Sequence, residues 1–379
     1  MKVKFLLLVL VLCGSFSAYG QDKFLKGRVV NEASGEAVPF ANVILQGTAY
    51  GTSSDQHGIF TLRITDMMKT EALKVTAVGY STAFLNVGAA SASGDTCVVR
   101  LKPVVYNIKD VDVFGKSMKY RKMLREVLEN ISRNYVTVPY NYIGYFIEKD
   151  GDITKGGRFR EAEVLVYNAE GYRRVDPVTA YRNENYRFRQ VRRNFEPSGV
   201  FESLTSMDDV LALDVVKNFR NILDTNAVPA YVLQNLGEID VNGRRVQTIG
   251  FKVTDPEPRN TGVEKVTAFS GKIYIDVKNF AVLQYSASVD FTGKSYLGFN
   301  FLKGDGSDRP GHVDFLVTYK PYGGKYVLSG VSIVGSGKEV QFITTGLVTE
   351  HPEKISTRTY CEDQETDPEF WKTYSVSGI

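Results

Sequence analysis

Short apolar stretches separated by turn residues dominate the first hundred positions of the chain. Six stretches rich in Val, Ile, Leu and Thr alternate with Gly, Pro, Asp and Asn at the spacing typical of a β-sandwich. The predicted strands are 24–31, 41–47, 58–64, 73–78, 81–87 and 96–102. Asp55 and Gly58 fit a tight turn, in which Asp binds backbone amides ahead of it and Gly adopts a positive φ. This pattern predicts a seven-strand-type, Ig-like sandwich over residues 21–115.

The hydrophobic period changes after this region. Over residues 117–135 apolar side chains, among them Tyr120, Leu124 and Ile131, recur every three or four positions, which predicts a helix. We therefore expect a linker helix over residues 116–135, between the sandwich and a second domain.

Residues 136–379 alternate over many short stretches, which indicates a long antiparallel meander. Asn242-Gly243 predicts a two-residue hairpin, and residues 321–324 mark a second hairpin. Residues 206–223 have a helical apolar face, with Ser206 as the predicted N-cap and acidic residues in the first turn. The sequence thus predicts a mainly β protein: the sandwich, then an α+β domain with a large antiparallel sheet and one or two covering helices.

The first twenty residues have the pattern of an export signal. Lys2 and Lys4 precede an apolar run over 5–12, and Ala18-Tyr19-Gly20 fits a cleavage site. The bulky Leu12 before Cys13 favours simple cleavage over lipidation, and the apolar run is shorter than the ~20 residues that span a bilayer. We expect an exported protein of the periplasm or outer membrane, without a transmembrane segment and with peripheral membrane association left open.

Charge limits the classes of possible binding partners, and the cysteine content limits the possible disulfides. The chain has 46 basic and 43 acidic residues, and removal of Lys2 and Lys4 brings the two nearly into balance. Such a balance argues against a nucleic-acid-binding protein. Cys97 and Cys361 remain after cleavage, and the sequence leaves open whether they are free.

Several spaced motifs in the first domain resemble a known family. They are Gly27-Arg28-Val29, the segment from Gly35 to Val43, Gly47-Thr48, the segment from Gly51 to Leu62, and Gly79-Tyr80. Together they resemble the carboxypeptidase-D regulatory-like domain, a transthyretin-like β-sandwich common in envelope proteins of the Bacteroidetes. The resemblance implies a non-catalytic module in a cell-envelope protein.

The second domain is similar to the corresponding part of short envelope proteins named only for that module. The matching segments are Tyr145-Phe146, Glu161-Ala162, Gly271 to Asp276 and Asp367 to Tyr374. That family carries no established activity. The chain also lacks the many lipid-facing strands that a receptor barrel would need after such a module.

No arrangement of residues in the sequence predicts catalysis. His57, His312 and His351 stand apart, without a zinc-binding motif, and no nucleophile-elbow motif occurs. Adjacent carboxylates such as Asp208 and Asp209 are explained by a helix N-terminus. We therefore predict no enzyme activity, no catalytic residue, no metal and no cofactor.

A cluster of arginines is the one candidate binding site. Seven arginines lie between positions 173 and 193 with aromatic residues between them. Arg187, Arg189, Tyr186 and Phe188 are the candidate anion- or glycan-binding residues, although Phe188 faces opposite the two arginines in an extended strand. The other interpretation is a solvated sheet face whose arginines pair with nearby acids.

The predicted function is a non-catalytic scaffolding or recognition role in the cell envelope, with an envelope protein or a glycan as partner. The alternative is a periplasmic carrier of an apolar, lipid-like ligand, suggested by 22 Tyr and 22 Phe. That alternative requires an empty apolar cavity beneath the predicted helix over 206–223. Aromatic side chains that fill the core would explain the composition without a ligand.

Overall fold

The computed structural model describes residues 23–46, 51–64, 66–92, 96–104, 115–174, 184–195, 207–241, 243–263, 265–292, 310–335, 337–356, 367 and 370–371. The predicted export signal and Cys361 lie outside these residues.

Two small sheets form the N-terminal sandwich. Its strands are β1 (Lys23–Asn31), β2 (Asn42–Leu45), β3 (Gly51–Ser53), β4 (Ile59–Ile64), β5 (Ala72–Thr76), β6 (Ala83–Asn86) and β7 (Cys97–Leu101). One sheet has the order β4-β1-β7 and the other β3-β2-β5-β6, with helix α1 (Val87–Ala92) and a 3-10 turn (Asp66–Thr70) at the side. Val29, Phe60, Leu73 and Leu101 are fully buried between the two sheets. All six predicted strands are confirmed, and β3 is additional.

The predicted turn at Asp55 is confirmed. Its carboxylate accepts hydrogen bonds from the backbone N–H of His57 (2.9 Å) and of Ile59 (2.7 Å). Gly58 has φ +75°, and a Cβ built there would lie 2.3 Å from the carbonyl oxygen of Val29.

We expect Gly58→Val to lower the free energy of unfolding by about 2 kcal/mol, because left-handed strain is added to a clash with fixed backbone. Gly35→Val is the matched control, since Gly35 has φ +74° and open space around it. It should lose only about 1 kcal/mol, the cost of the backbone conformation alone. Urea unfolding of both variants measures the difference, and equal losses would show that the clash is relieved by backbone movement.

Helices α2 (Gly115–Glu129) and α3 (Ile131–Asn134) occupy the region of the predicted linker helix. Tyr120, Leu124 and Val127 are buried, as the spacing predicted. Arg121 fixes α2 to the second domain by donating to the carbonyl oxygens of Val228 (2.6 Å) and Tyr231 (3.1 Å).

A ten-stranded antiparallel sheet forms the second domain, in the order β10-β9-β8-β17-β16-β15-β14-β13-β12-β11. Its strands are β8 (Tyr140–Asp150), β9 (Arg158–Asn168), β10 (Glu184–Arg193), β11 (Tyr231–Val241), β12 (Arg244–Val253), β13 (Val266–Asp276), β14 (Val282–Thr292), β15 (Pro310–Tyr322), β16 (Lys325–Gly335) and β17 (Lys338–Val348). The short helices are α4 (Met207–Leu211) and α5 (Pro258–Thr261), with 3-10 turns at Ile153–Lys155 and Val228–Ala230. The mainly β class with a large antiparallel sheet and few helices is therefore confirmed.

Both predicted hairpins are present. Strands β11 and β12 pair up to Val241 and Arg244, on either side of the Asn-Gly sequence. Strands β15 and β16 pair up to Tyr322 and Lys325, and both Gly323 and Gly324 have positive φ. A two-residue turn with two positive φ angles suits the twist of a hairpin.

The helix predicted over 206–223 is wrong beyond its first turn. The helix ends at Leu211, and Ser206 lies outside the described residues. Side chains compete with helical hydrogen bonding here: the amide of Asn218 donates to the carbonyl oxygens of Leu211 (2.9 Å) and Ala212 (3.1 Å), and Arg220 has φ +62°. The segment nevertheless covers the sheet as predicted, through Met207, Val210, Val216 and Ile222, which are fully buried.

The sheet has two unlike faces. We call the face beneath α2, α3 and residues 207–230 the core face; Ile249, Phe251, Ile273, Val317 and Phe342 lie on it. We call the opposite face the polar face, because Ser, Lys, Gln and Asp side chains predominate there on β12 to β16.

The sandwich packs on the polar face. Phe40, only 3% exposed, lies over Gly330, where an added Cβ would be 3.0 Å from its ring. Ser329 binds Asn42 (2.9 Å) and Ser53 (3.1 Å) through its hydroxyl. The ring of His57 lies 3.6 Å from the carboxylate of Glu339, which also accepts a hydrogen bond from Gln56.

The His57–Glu339 contact gives the packing a pH dependence. The contact with the Glu339 carboxylate raises the pKa of His57 above 6.5, and the same contact lowers the pKa of Glu339 below 4.5. The contribution is therefore present between these values and is lost as pH rises through the raised pKa of His57. It is at most about 0.5 kcal/mol, because solvent screens the half-exposed pair.

We expect His57→Gln to be less stable than the wild type at pH 5.5 and equal to it at pH 8.5. Asp55 also raises the pKa of His57 and Lys149 lowers it, so the difference between wild type and variant reports the contacts of the imidazolium with all three groups. Urea unfolding at the two pH values measures the difference in the free energy of unfolding between wild type and variant. A gap that is as large at pH 8.5 would assign the loss to packing rather than to charge.

Candidate binding groove

A groove of about 860 Å³ lies between the sandwich and the polar face of the large sheet. Pro39, Phe40 and Gln56 of the sandwich form one wall. Val232 and Leu236 on the outermost strand β11 form the other. The floor crosses six strands, β11 to β16, so its length is about 24 Å at roughly 4.8 Å per strand spacing.

Short side chains give the groove its depth. Strand register places two rows of residues side by side across the floor. The first row is Lys252, Ser270, Ser288, Asp314 and Val334, and the second is Gly250, Lys272, Ser286, Leu316 and Ser332. Serine and glycine in the middle of these rows leave space that larger residues would fill. The serine hydroxyls and the Gln56 and Gln234 amides can both donate and accept hydrogen bonds.

Two lysines extend from the floor. Lys252 and Lys272 are exposed and lie diagonally across β12 and β13, because Lys252 is opposite Ser270 and Gly250 is opposite Lys272. Neither ammonium group has a carboxylate within 4.0 Å among the residues that the structure describes.

An imidazole with two carboxylates lies beside the floor on β14 and β15, where Ser288 and Asp314 line the groove. The ring of His312 contacts Asp290 through Nδ1 (2.6 Å), and its Nε2 lies 3.3 Å from both Asp314 and the hydroxyl of Ser288. The hydroxyl of Ser288 donates to Asp314 at 2.8 Å. The hydrogen bond to Asp290 and the charge of Asp314 raise the pKa of His312, which favours the imidazolium form.

The sequence treats His312 as isolated, and the structure corrects this. Ser288 and Asp290 share one face of β14, and His312 and Asp314 share the same face of β15. The register between the two strands makes residues 290 and 312 opposite. The arrangement of serine, imidazole and aspartate has the order of a hydrolase triad. However, the backbone amides of β14 and β15 bind neighbouring strands, so they offer no oxyanion-binding pair at Ser288. The geometry suits an ion network better than a nucleophile.

No group of three or more His, Cys, Asp or Glu residues with the geometry of a metal site occurs in the described part of the chain. The only thiol there, that of Cys97, forms no disulfide among these residues. Burial raises its pKa, so it is held as a thiol.

The predicted arginine site is divided between the two faces of the sheet. Tyr186 and Phe188 are fully buried in the core, where Phe188 packs edge-to-face on Phe146. These two rings therefore contact no surface ligand. Arg187 and Arg189 lie on the polar face and bind the two carboxylate oxygens of Glu353, at 3.0 and 2.8 Å. The acid that satisfies them comes from more than 160 residues later in the chain.

The same face holds Phe370 and Trp371, within the predicted end motif. Trp371 is 4% exposed and packs with Tyr145, Ile147 and Ile343. The guanidinium of Arg192 lies over its ring, 5.1 Å from the centroid, and also binds Glu161 at 2.6 Å. The arginine-rich strand thus contributes to folding.

Aromatic side chains fill the space beneath residues 207–230. Tyr142 and Tyr172 share a hydrogen bond (3.0 Å), and both hydroxyls accept from the N–H of Leu328. Tyr319 donates to the buried carboxylate of Asp214 at 2.6 Å. The predicted apolar-ligand cavity at this place is therefore wrong, because side chains occupy it.

Comparison with known proteins identifies the first domain. Residues 25–113 match the model of the CarboxypepD_reg-like domain, which confirms the resemblance seen in the motifs. No curated protein matches the chain. Among the helices of the described residues, none has the length and apolar character that crossing a membrane requires.

Three solved structures show remote likenesses. They are a domain named for outer membrane lipoprotein sorting from Vibrio parahaemolyticus (15% identity, TM-score 0.29), a DUF1329 family protein from Desulfovibrio piger (10%, 0.28) and a LolA superfamily protein from Nitrosomonas europaea (10%, 0.26). Each alignment covers 62% of this chain and 94% of the other. At TM-scores of this size the likeness says nothing about what this chain binds.

Proposed function

We propose that this chain is a non-catalytic recognition protein of the cell envelope, which binds a glycan in the groove between its two domains. The observation that carries the proposal is the groove itself: an open trough about 24 Å long with hydroxyl and amide groups along its floor. The envelope location rests on the predicted export signal, and the non-catalytic role on what the CarboxypepD_reg-like domain implies.

The lining offers a sugar chain polar partners beside apolar surface. Sugar hydroxyls need partners that donate and accept, and Ser270, Ser286 and Ser332 supply them along the floor. Val232 and Leu316 offer apolar surface to sugar C–H groups. A carrier of lipid-like molecules needs a more enclosed apolar pocket, because pockets of that kind bury most of the ligand.

The test is a binding screen of the full chain with soluble oligosaccharides of four to six units, read by saturation-transfer NMR and quantified by calorimetry. We expect at least one class to bind with a dissociation constant in the micromolar to millimolar range. A fluorescent fatty acid is included as the competing probe. Binding of the fatty acid with no oligosaccharide bound would reject the glycan and favour the apolar-carrier function.

A further inference from the structure

Two ammonium groups in the groove contact no carboxylate of the described residues, and their positive charge favours a ligand of opposite charge. Several other cations of the described chain have acidic neighbours, as Arg160 has Glu148 and Arg192 has Glu161. Lys252 and Lys272 have none among the described residues, although they share one face of adjacent strands. Two like charges on neighbouring strands repel each other unless an anion lies between them.

Positive and negative side chains lie in different parts of the groove. The first row runs from Lys252 through Ser270 and Ser288 to Asp314, so about 14 Å separates the lysine end from the acidic end. Asp290, Asp314 and the imidazolium of His312 give the second end a net negative charge. This gradient favours an anionic group at one end and rejects it at the other, which fixes the direction of a bound chain.

We propose that the groove takes an acidic glycan, whose carboxylate or phosphate group binds between Lys252 and Lys272 while its hydroxyls contact the serines of the floor. The proposal rests on the proposed function and adds the charge of the ligand. A simple polyanion is a poorer fit, because the acidic end of the same groove repels further negative charge.

The experiment compares acidic and neutral sugars of the same backbone on the full chain by calorimetry. One pair is tetragalacturonic acid and its methyl ester, which tests the carboxylate. The other pair is mannopentaose 6-phosphate and mannopentaose, which tests the phosphate. We expect the acidic member of at least one pair to bind about tenfold more tightly, because hydrogen bonds between an ammonium group and an anion are charge-assisted.

The variant Lys252→Gln/Lys272→Gln should bring acidic and neutral members to within about twofold of each other. Lys278→Gln/Lys354→Gln removes the same two charges at exposed positions outside the groove and should keep the preference. Added salt should weaken only the acidic member.

Equal binding of both members in both pairs would overturn the proposal that the ligand is acidic. The proposed glycan-binding function would remain. A preference that survives in Lys252→Gln/Lys272→Gln would also overturn the acidic-ligand proposal, because the anion would then bind elsewhere. Absence of binding by all four sugars and by the screening panel would overturn the proposed function itself.

Discussion

Lys217→Met should lower the free energy of unfolding by about 3–5 kcal/mol, because it leaves the carboxylate of Glu184 buried without its cation. Both side chains of this ion pair are nearly inaccessible, at 3% and 7% exposure. Glu184 also accepts a hydrogen bond from Asn168 at 2.9 Å, so it is held in place and cannot turn to solvent. Methionine keeps most of the apolar volume of the lysine stem, which limits the loss to the charge.

The double variant Lys217→Met/Glu184→Gln is the matched control. Glutamine removes the charge and still accepts from Asn168, so most of the lost stability should return. Urea unfolding at pH 7, followed by circular dichroism, measures both variants. A double variant no more stable than the single one would show that Lys217 acts by packing and not as the counter-ion of Glu184.

Ser286→Trp should abolish the proposed ligand binding in the groove, with a loss of affinity of about 100-fold or more, because an indole would occupy the middle of the second row where sugar would lie. Ser286 is opposite Lys272 on one side and Leu316 on the other, so the new ring has no space except the groove. Stability should change little, since the position is only half-buried.

Ser132→Trp serves as its control. Ser132 is exposed on α3, which covers the core face, so the same substitution there adds the ring away from the groove. Calorimetry with the oligosaccharide found in the screen measures both variants. Retained binding by Ser286→Trp would place the ligand outside the groove.

Local patterns in the sequence predicted the parts of the fold that local interactions decide. Gly243, Gly323 and Gly324 have positive φ in the two hairpin turns, and the flanking strands pair as the turn residues predicted. The helix prediction over 206–223 was wrong beyond its first turn, because apolar spacing does not show that the Asn218 side chain donates hydrogen bonds to backbone carbonyl oxygens. Alternation correctly separated Arg187 from Phe188.

The groove could not be predicted from the sequence. It depends on which face of the large sheet receives the sandwich and on the register of strands far apart in the chain. Asp290 and His312 meet only because that register makes them opposite. Glu353 likewise reaches Arg187 only in three dimensions, and no spacing in the sequence relates them.

The double contact of Glu353 with Arg187 and Arg189 has a consequence for anions in solution. The carboxylate belongs to the same molecule, so its effective concentration at the guanidinium pair is on the order of millimolar or higher. A dissolved phosphate or uronate must outcompete this resident group before it can occupy the two arginines. Weak anions at physiological concentration will therefore leave that strand unchanged, and only a ligand with several simultaneous attachments will displace the tethered acid.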